Sequence, residues 1–337
     1  MPSKPTISDV AARAGVSKGA VSFALNNRPG VSTETRARIF SAVEELGFRP
    51  SHTARALSFS RTSALGLVLA RQPEMLRADP FFPPFIAGVE EVIAPAGMSL
   101  MLRFVAGDVA EKDAYVELAN GRVDGVILTD IRLRDPRPVL LNRLGLPAIS
   151  LNRASERSPI PAVCLDDRAG VRDAVQHLIA LGHRRIGHVG GPGLYQHVDN
   201  RRRQWLEALG AAQLSPGPFV EADFTAGGGV RATAQMLTSE QPPTAILFAS
   251  DLMAVAGMAE AHRRGLSVPR DLSIIGFDDA ELSAHLHPAL TTVRTDAFGW
   301  GRAAATTLIA ELAGEHPADV ALPPATFVLR NSTGSPP

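Results

Sequence analysis

From Ser63 onward, short apolar runs of strand length alternate with longer segments of helical period. The runs are ALGLVLA, SLMLRFV, VDGVILT, PAISLNR, PAVCLD, RIGHVGG, TAILFAS and LSIIGFDD, and among the segments between them are PFIAGVEEVIAPAG, RAGVRDAVQHLIALGH, NRRRQWLEALG and LMAVAGMAEAHRRGL. Strands that read as continuous apolar stretches are covered on both faces, and a helix inserted between successive strands makes them parallel. The alternation therefore restricts this part of the chain to a mostly parallel α/β fold. Its length suits two such lobes rather than one.

In open α/β sheets ligands bind beyond the carboxyl ends of the strands. Several polar residues fall there: Asp278 after SIIGF, Ser250 and Asp251 after AILFA, and Asp166 after AVCL. Carboxylates and a serine at strand ends suit a hydroxyl-rich ligand, although Asp251 reads equally well as the cap of the helix that follows it. No catalytic signature accompanies them. The glycines of GHVGGPG lack dinucleotide spacing, TAGGGV does not follow a strand of that type, and neither a phosphate-binding loop nor a nucleophile elbow occurs. His285 and His287 alternate with no third ligand spaced nearby, so no metal, no cofactor and no enzymatic activity is expected. The lone cysteine, Cys164, sits in an apolar run and reads as a small buried hydrophobe.

The first sixty residues have a different character. The formal net charge of the 337 residues is zero, but up to Arg61 there are nine Lys and Arg against four Asp and Glu, leaving +5 there and −5 on the remainder. A basic small domain on a mildly acidic large one is the footprint of a polyanion partner. Thr6 with Asp9 three residues later predicts a helix start, and Gly15 a stop. Ser17 caps a second helix after only a few residues, and a third fits Thr33 to Leu46 between Ser32 and Gly47. This is helix-turn-helix spacing. With Val21 and Leu25 inward, the second helix presents Lys18, Gly19, Ser22, Phe23 and Asn26 outward, and the free amides of its N-terminus suit a phosphate-lined groove. No apolar run of membrane length and no export signal begins the chain, so a cytoplasmic protein without a membrane partner is expected.

TISDVAARAGVSKGAVSFALNNRPGVSTETRARIFSAVEELGFRPSHTARAL, Thr6 to Leu57, resembles the DNA-binding headpiece of the lactose-repressor (LacI/GalR) family without a gap. LGHRRIGHVGGP, FASDLMAVAGM, LSIIGFDD and HPALTTVRTD extend the resemblance through the large domain. The fold it implies is a three-helix helix-turn-helix headpiece (1–49) and a hinge helix (50–61), joined to a two-lobed α/β domain of the type I periplasmic-binding-protein kind (62–337). The lobes are expected over about 62–158 with 293–317, and about 159–292 with 318–332, the chain crossing near Ser158, Thr292 and Pro317.

The resemblance also implies roles. Lys18, Gly19 and Phe23 occupy positions that meet base edges, and Ser22, Asn26, Ser32 and Thr35 positions that hold phosphates. Leu57, with Ala54 and Arg55 beside it, matches a leucine that wedges into the minor groove. Asp278 and Arg201 match effector contacts, Phe81, Phe82 and Phe224 match pocket walls, and Tyr195 and His197 lie on the loop before the Arg201 helix. Ser250 stands where asparagine is common, and Gln204-Trp205 where a glycine and an aromatic are usual, which implies a reshaped pocket. The implied protein is a homodimeric, ligand-responsive repressor of double-stranded operator DNA, answering to a sugar or nucleoside-like effector. The C-terminus carries no apolar heptads, so a coiled-coil tetramer is not expected. The alternatives are an exported or cytosolic sugar-binding protein, or an α/β enzyme with an incidental helix-turn-helix; the basic headpiece and the missing signal peptide weigh against them.

Overall fold

The structure, a computed structural model, describes residues 5–25, 29–48, 62–71 and 79–337. It divides into two units, Met1–Thr62 and Ser63–Pro337. In the first, three helices, α1 (Ile7–Ala14), α2 (Lys18–Leu25) and α3 (Thr33–Leu46), share a core of Val10, Ala11, Ala14, Val21, Ala24, Ile39 and Ala42. The α2 side chains that enter it fully are Val21 and Ala24; Leu25, at the helix end, is only partly buried. At the start of α1 the Thr6 amide donates to the Asp9 carboxylate at 2.8 Å, and the bond holds that carboxyl below its usual range. Gly15 and Gly47 end α1 and α3 at φ 67° and 61°, left-handed values that other residues adopt only with strain. The Ser17 hydroxyl accepts from the Ala20 amide at 3.1 Å, and Arg36 donates to the Ala24 carbonyl at 2.9 Å, tying α3 to the end of α2.

In the second unit, β1 (Ala64–Leu69) lies between β2 (Ser99–Phe104) and β3 (Gly125–Leu128), and β4 (Ala148–Leu151), β5 (Ala162–Cys164) and β11 (Val320–Ala321) extend the sheet beyond β3, all in parallel. Side chains alternate across the pleat. Leu65, Leu67 and Leu69 face α4 (Phe82–Ile93) and α11 (Ala297–Leu312), whereas Val68 faces Tyr115 and Leu118 of α5 (Gly107–Ala119) and Leu141 of α6 (Arg137–Arg143). Helices α4 and α11 touch backbone to backbone through two glycines. A methyl at Gly88 would stand 2.0 Å from the Phe298 carbonyl oxygen, and one at Gly301 2.1 Å from that of Phe85.

A second parallel sheet has the order β7 (Phe219–Glu221), β6 (Ile186–Gly190), β8 (Ala245–Phe248), β9 (Ser273–Ile275). Ile246 and Phe248 point to α9 (Ala226–Leu237) and α10 (Asp251–Arg263), and Ala245 and Leu247 to α7 (Arg168–Ala180) and α8 (Gln196–Ala211). Of the glycines of TAGGGV, Gly229 serves this packing, since a methyl there would sit 2.5 Å from the Met253 carbonyl oxygen on α10, whereas one at Gly228 would meet the Asp223 carboxylate at 2.1 Å.

Two of the expected crossings come later in the chain. Strands β5 and β11 belong to the first sheet, where the Ser150 amide bonds Pro161 at 3.0 Å and the Leu322 amide bonds Cys164 at 2.9 Å. The chain therefore leaves the first sheet after Cys164, not near Ser158, and returns toward the second after Ala321, not Pro317. Between them, β10 (Thr292–Arg294) pairs antiparallel with β12 (Thr326–Val328), and the middle passage falls between Arg294 and α11. Because β5 ends at the boundary, Cys164 is half-buried rather than fully enclosed, and that burial raises its thiol pKa.

Candidate functional site

The carboxyl ends of the strands in both sheets open onto one cleft. Arg71 reaches it just after β1, Thr129 and Asp130 follow β3, Leu151 and Asn152 end β4, Leu165 and Asp167 follow β5, Ala249 and Ser250 follow β8, and Asp278 follows β9. Phe81, His197, Arg201, Phe224 and Trp300 complete its wall.

On the side of the second sheet, Arg201 on α8 donates from Nε to Asp167 at 3.0 Å and from Nη1 to the Ala249 carbonyl at 3.0 Å, and its Nη2 has no bond to the protein among the described residues. Its guanidinium lies face-on to Phe277, 3.4 Å from the ring centre. Burial pushes the neighbouring Asp278 carboxyl well above its usual range; Arg201 opposes the shift, while Asp251 and Asp79 add to it. Asp278 also holds a φ of 114°, stabilised where its amide bonds the Val293 carbonyl at 2.8 Å. Asp130, Asn152 and Phe224 share this trait, with φ of 51°, 69° and 60°. Non-glycine residues at positive φ cost about 1–3 kcal/mol each, and four of them line one cleft.

On the side of the first sheet, the buried Arg71 is held between two carboxylates. Its Nε and Nη2 reach Asp130 at 2.6 and 2.5 Å, and its Nη1 reaches Asp79 at 2.6 Å. Burial alone would lower its pKa, but the two carboxylates more than offset this and the guanidinium stays charged. Burial raises the Asp79 pKa despite Arg71, whereas at Asp130 the Arg71 pairing prevails over burial and the pKa falls. Beside this triad His197 stacks between Tyr195 and Phe224, at 5.6 and 5.8 Å between centroids. Burial, reinforced by Arg201, lowers its pKa to about 3, so the imidazole is neutral. Trp300 donates to the Val163 carbonyl at 2.9 Å and meets Phe81 edge-on. Backbone pairing closes one end: the Leu133 amide bonds Leu194 at 2.9 Å, and the Gln196 amide bonds Ile131 at 2.8 Å.

Of the expected pocket residues, Phe81, His197, Arg201, Phe224, Ser250 and Asp278 line the cleft together. Three are placed elsewhere. Asp251 is 1% exposed and accepts from Thr292 at 2.5 Å, Ser283 at 2.6 Å and the Ala280 amide at 2.8 Å, so its carboxylate braces the loop after β9. The α10 cap is Ser250, accepting from Met253 at 3.3 Å. Phe82 turns into the core of the first sheet, with Arg71 over its ring, and Tyr195 is buried behind His197. Asp166 pairs with Arg168 at the surface, and the next residue, Asp167, is the one in the cleft. Sequence reasoning missed Arg71, Asp79, Asp130, Asn152, Asp167, Gln196 and Trp300. The strand-end rule could have found Asp130, which follows VDGVILT as Asp278 follows SIIGF.

In the first unit, Lys18, Gly19 and Phe23 are exposed on one side of α2, with Phe23 at 41%. Gly30, at φ 108°, lies against the Phe23 ring, close enough that a methyl there would be 3.5 Å away. Ser22 is half-buried. Ser32 caps α3, accepting from the Thr35 amide at 3.2 Å and donating to its hydroxyl at 2.9 Å. Asn26, and Ala54, Arg55 and Leu57 of the expected hinge helix, lie outside the described residues.

A small helical unit with a helix face exposing Lys18 and Phe23, followed by two parallel α/β lobes around a polar cleft, defines a class: DNA-binding regulators with a ligand-binding domain. Comparison with known proteins agrees. Residues 6–51 match the model for bacterial regulatory proteins of the lacI family, and residues 175–333 that for a periplasmic binding protein-like domain. The chain is 32% identical to the HTH-type transcriptional regulator CelR of Thermobifida fusca, over 98% of each protein. Among solved structures, it is similar to the lac repressor dimer bound to operator and the anti-inducer ONPF, with a TM-score of 0.88 at 29% identity, covering 99% of this chain and 100% of that one. It is also similar to the CelR–cellobiose complex, with a TM-score of 0.74 at 31% identity over 97% and 99% of the two chains. The chain belongs to the LacI family of bacterial transcriptional regulators and is not an enzyme.

Proposed function

We propose that the chain acts in the cytoplasm as a homodimeric repressor, each headpiece docking on one half-site of a pseudo-palindromic operator while a sugar held in the cleft sets its DNA affinity. Lys18, Gly19 and Phe23 face base edges; Ser22, Asn26, Ser32 and Thr35 hold phosphates; Ala54, Arg55 and Leu57 enter the minor groove at the centre. Arg201 and Asp278 anchor the effector, with Ser250 beside them and Phe81, His197, Phe224 and Trp300 as flat walls for a sugar ring.

The observation that carries this reading is that Arg201, held by Asp167 and the Ala249 carbonyl, and Asp278 line the same cleft at the strand ends, between aromatic walls. A guanidinium and a carboxyl in one cleft offer a donor and an acceptor to the hydroxyls of one ring. The likeness to CelR, solved with cellobiose, supports a sugar. An effector moves DNA affinity only as far as it binds one lobe arrangement better than the other.

The test begins by selecting operator fragments from random duplexes with the purified full chain, then follows binding by fluorescence anisotropy. The double variant Arg201→Ala, Asp278→Ala is expected to bind operator as the parent does and to ignore every sugar the parent answers to. A normal sugar response in that variant would remove the cleft assignment. A salt slope near zero would remove the headpiece assignment, because phosphate contacts release counterions.

A further inference from the structure

Resting on that reading of the cleft, we propose that the effector is an unphosphorylated, non-acidic sugar, and that the cleft is built to reject the phosphorylated or oxidised form of the same molecule. The charged residues that line the cleft are Asp79, Asp130, Asp167 and Asp278 against Arg71 and Arg201. Both cations are largely committed to the protein. Arg71 gives three nitrogens to Asp79 and Asp130, and Arg201 gives two to Asp167 and the Ala249 carbonyl. One nitrogen, Arg201 Nη2, has no bond to the protein among the described residues, and Asp278 lines the same cleft.

At the helix starts that open on the cleft, which elsewhere serve as anion sites, several amides are already bonded to the protein. At α4 the Phe81 amide donates to Asp79 at 2.9 Å, and Pro83 and Pro84 have no amide hydrogen to give. At α8 the Gln196 amide is bonded to Ile131, and at α10 the Asp251 and Met253 amides are bonded to Phe277 and Ser250. His197, neutral at physiological pH, adds no charge. A phosphate or carboxylate entering here would meet four acidic side chains and a single guanidinium nitrogen not bonded to the protein.

Acceptors, by contrast, are in excess. The Asp278 carboxyl accepts from the Asp251 amide and from no side chain among the described residues, and the neighbouring carboxylate oxygens accept from two arginines and the Phe81 amide. A ring bearing hydroxyls, or an ammonium, supplies the missing donors. The regulator therefore senses a sugar before any phosphoryl transfer to it. The reactions that supply such a signal are glycoside hydrolysis or uptake without phosphorylation, and a kinase acting on the sugar would end it.

The experiment titrates the full chain by thermal shift and calorimetry with matched pairs: cellobiose and cellobionic acid, glucose and glucose 6-phosphate, ribose and ribose 5-phosphate, adenosine and its 5′-monophosphate, with glucosamine as the cationic member. Binding is expected among the uncharged or amino members, with each acidic counterpart at least about tenfold weaker. Asp278→Asn is expected to narrow that gap, because it removes an ionisable carboxyl that a bound anion would oppose, while leaving both arginine pairings in place. An acidic member that binds as tightly as its neutral partner, or more tightly, would overturn the proposal and leave the sugar reading standing. No binding by any member would instead overturn the sugar reading on which it rests.

Discussion

Arg201 lies flat over Phe277, 3.4 Å from the ring centre, and Phe277 is the residue immediately before Asp278. The stack joins α8 to the loop after β9, and two of the guanidinium nitrogens bond Asp167 and the Ala249 carbonyl. The donor and acceptor proposed to grip the effector are thus tied together by one packing contact between α8 and a strand end.

A lysine at this position would keep the charge and lose the rest. Its ammonium has no plane to lay on Phe277 and cannot span Asp167, Ala249 and a ligand at once. Arg201→Lys is expected to weaken effector binding by roughly tenfold or more, about 1.4 kcal/mol, while operator affinity without effector is unchanged. Calorimetry and anisotropy measure the two separately. Parental effector affinity in this variant would mean that charge alone, and not the fork, is what the ligand meets.

The Asp278 carboxyl links function to stability. Its folded pKa is raised by burial, so between the ordinary carboxyl range and that raised value the folded protein holds a proton that the unfolded chain has released. Stability from this group accordingly falls as pH rises from about 4 and levels off only once the folded carboxyl also ionises. Asp251, raised to about 6 by burial, acts in the same direction between about pH 4 and 6. Asp278→Asn is expected to raise the Tm of the effector-free protein at pH 7 and to flatten its decline with pH, even as it weakens sugar binding. Melting curves from pH 4 to 8 measure this, and an unchanged slope would show that the carboxyl is not destabilised where it stands.

The α4–α11 crossing offers a test of packing away from the cleft. Gly88 and Gly301 let the two backbones touch, and a methyl at Gly88 would fall 2.0 Å from a carbonyl oxygen that no rotamer change can move. Gly88→Ala is expected to cost roughly 2–3 kcal/mol and to lower the Tm of the large unit. A loss below about 0.5 kcal/mol would mean that the helices separate without strain.

What was legible in the sequence is what is local. The apolar runs and Gly or Ser punctuation mark helices and strands because a buried parallel strand must be apolar on both faces and a helix must cap its ends. The strand-end rule reached Asp278 and Ser250 for the same reason. Less visible were contacts assembled by the fold. Arg71 meets Asp130 across 59 residues of chain, and no spacing announces such a pair. Strands β5 and β11, of three and two residues, are too short to show a period, so the lobe crossings were set too early. Asp251 and Phe82 were misread by direction: each adjoins the cleft in sequence, but the start of its helix turns the side chain inward. The positive φ of Asp130, Asn152, Phe224 and Asp278 carries no glycine to signal it.

Gly19 bears on how the headpiece reads DNA. A methyl added there would meet nothing in the described structure nearer than the Ser17 hydroxyl at 3.7 Å, so the fold has no steric need for glycine in the second position of α2. Alanine should favour the helix by about 1 kcal/mol. If the helix face lies against a major groove, the same methyl occupies space that a base edge or phosphate uses. Gly19→Ala is therefore expected to slow amide hydrogen exchange in α2 and to weaken operator binding roughly tenfold, about 1.4 kcal/mol, the two effects being of opposite sign. Slower exchange with unchanged or tighter operator binding would place Gly19 away from the DNA and leave Lys18 and Phe23 as the exposed α2 side chains that can still reach base edges.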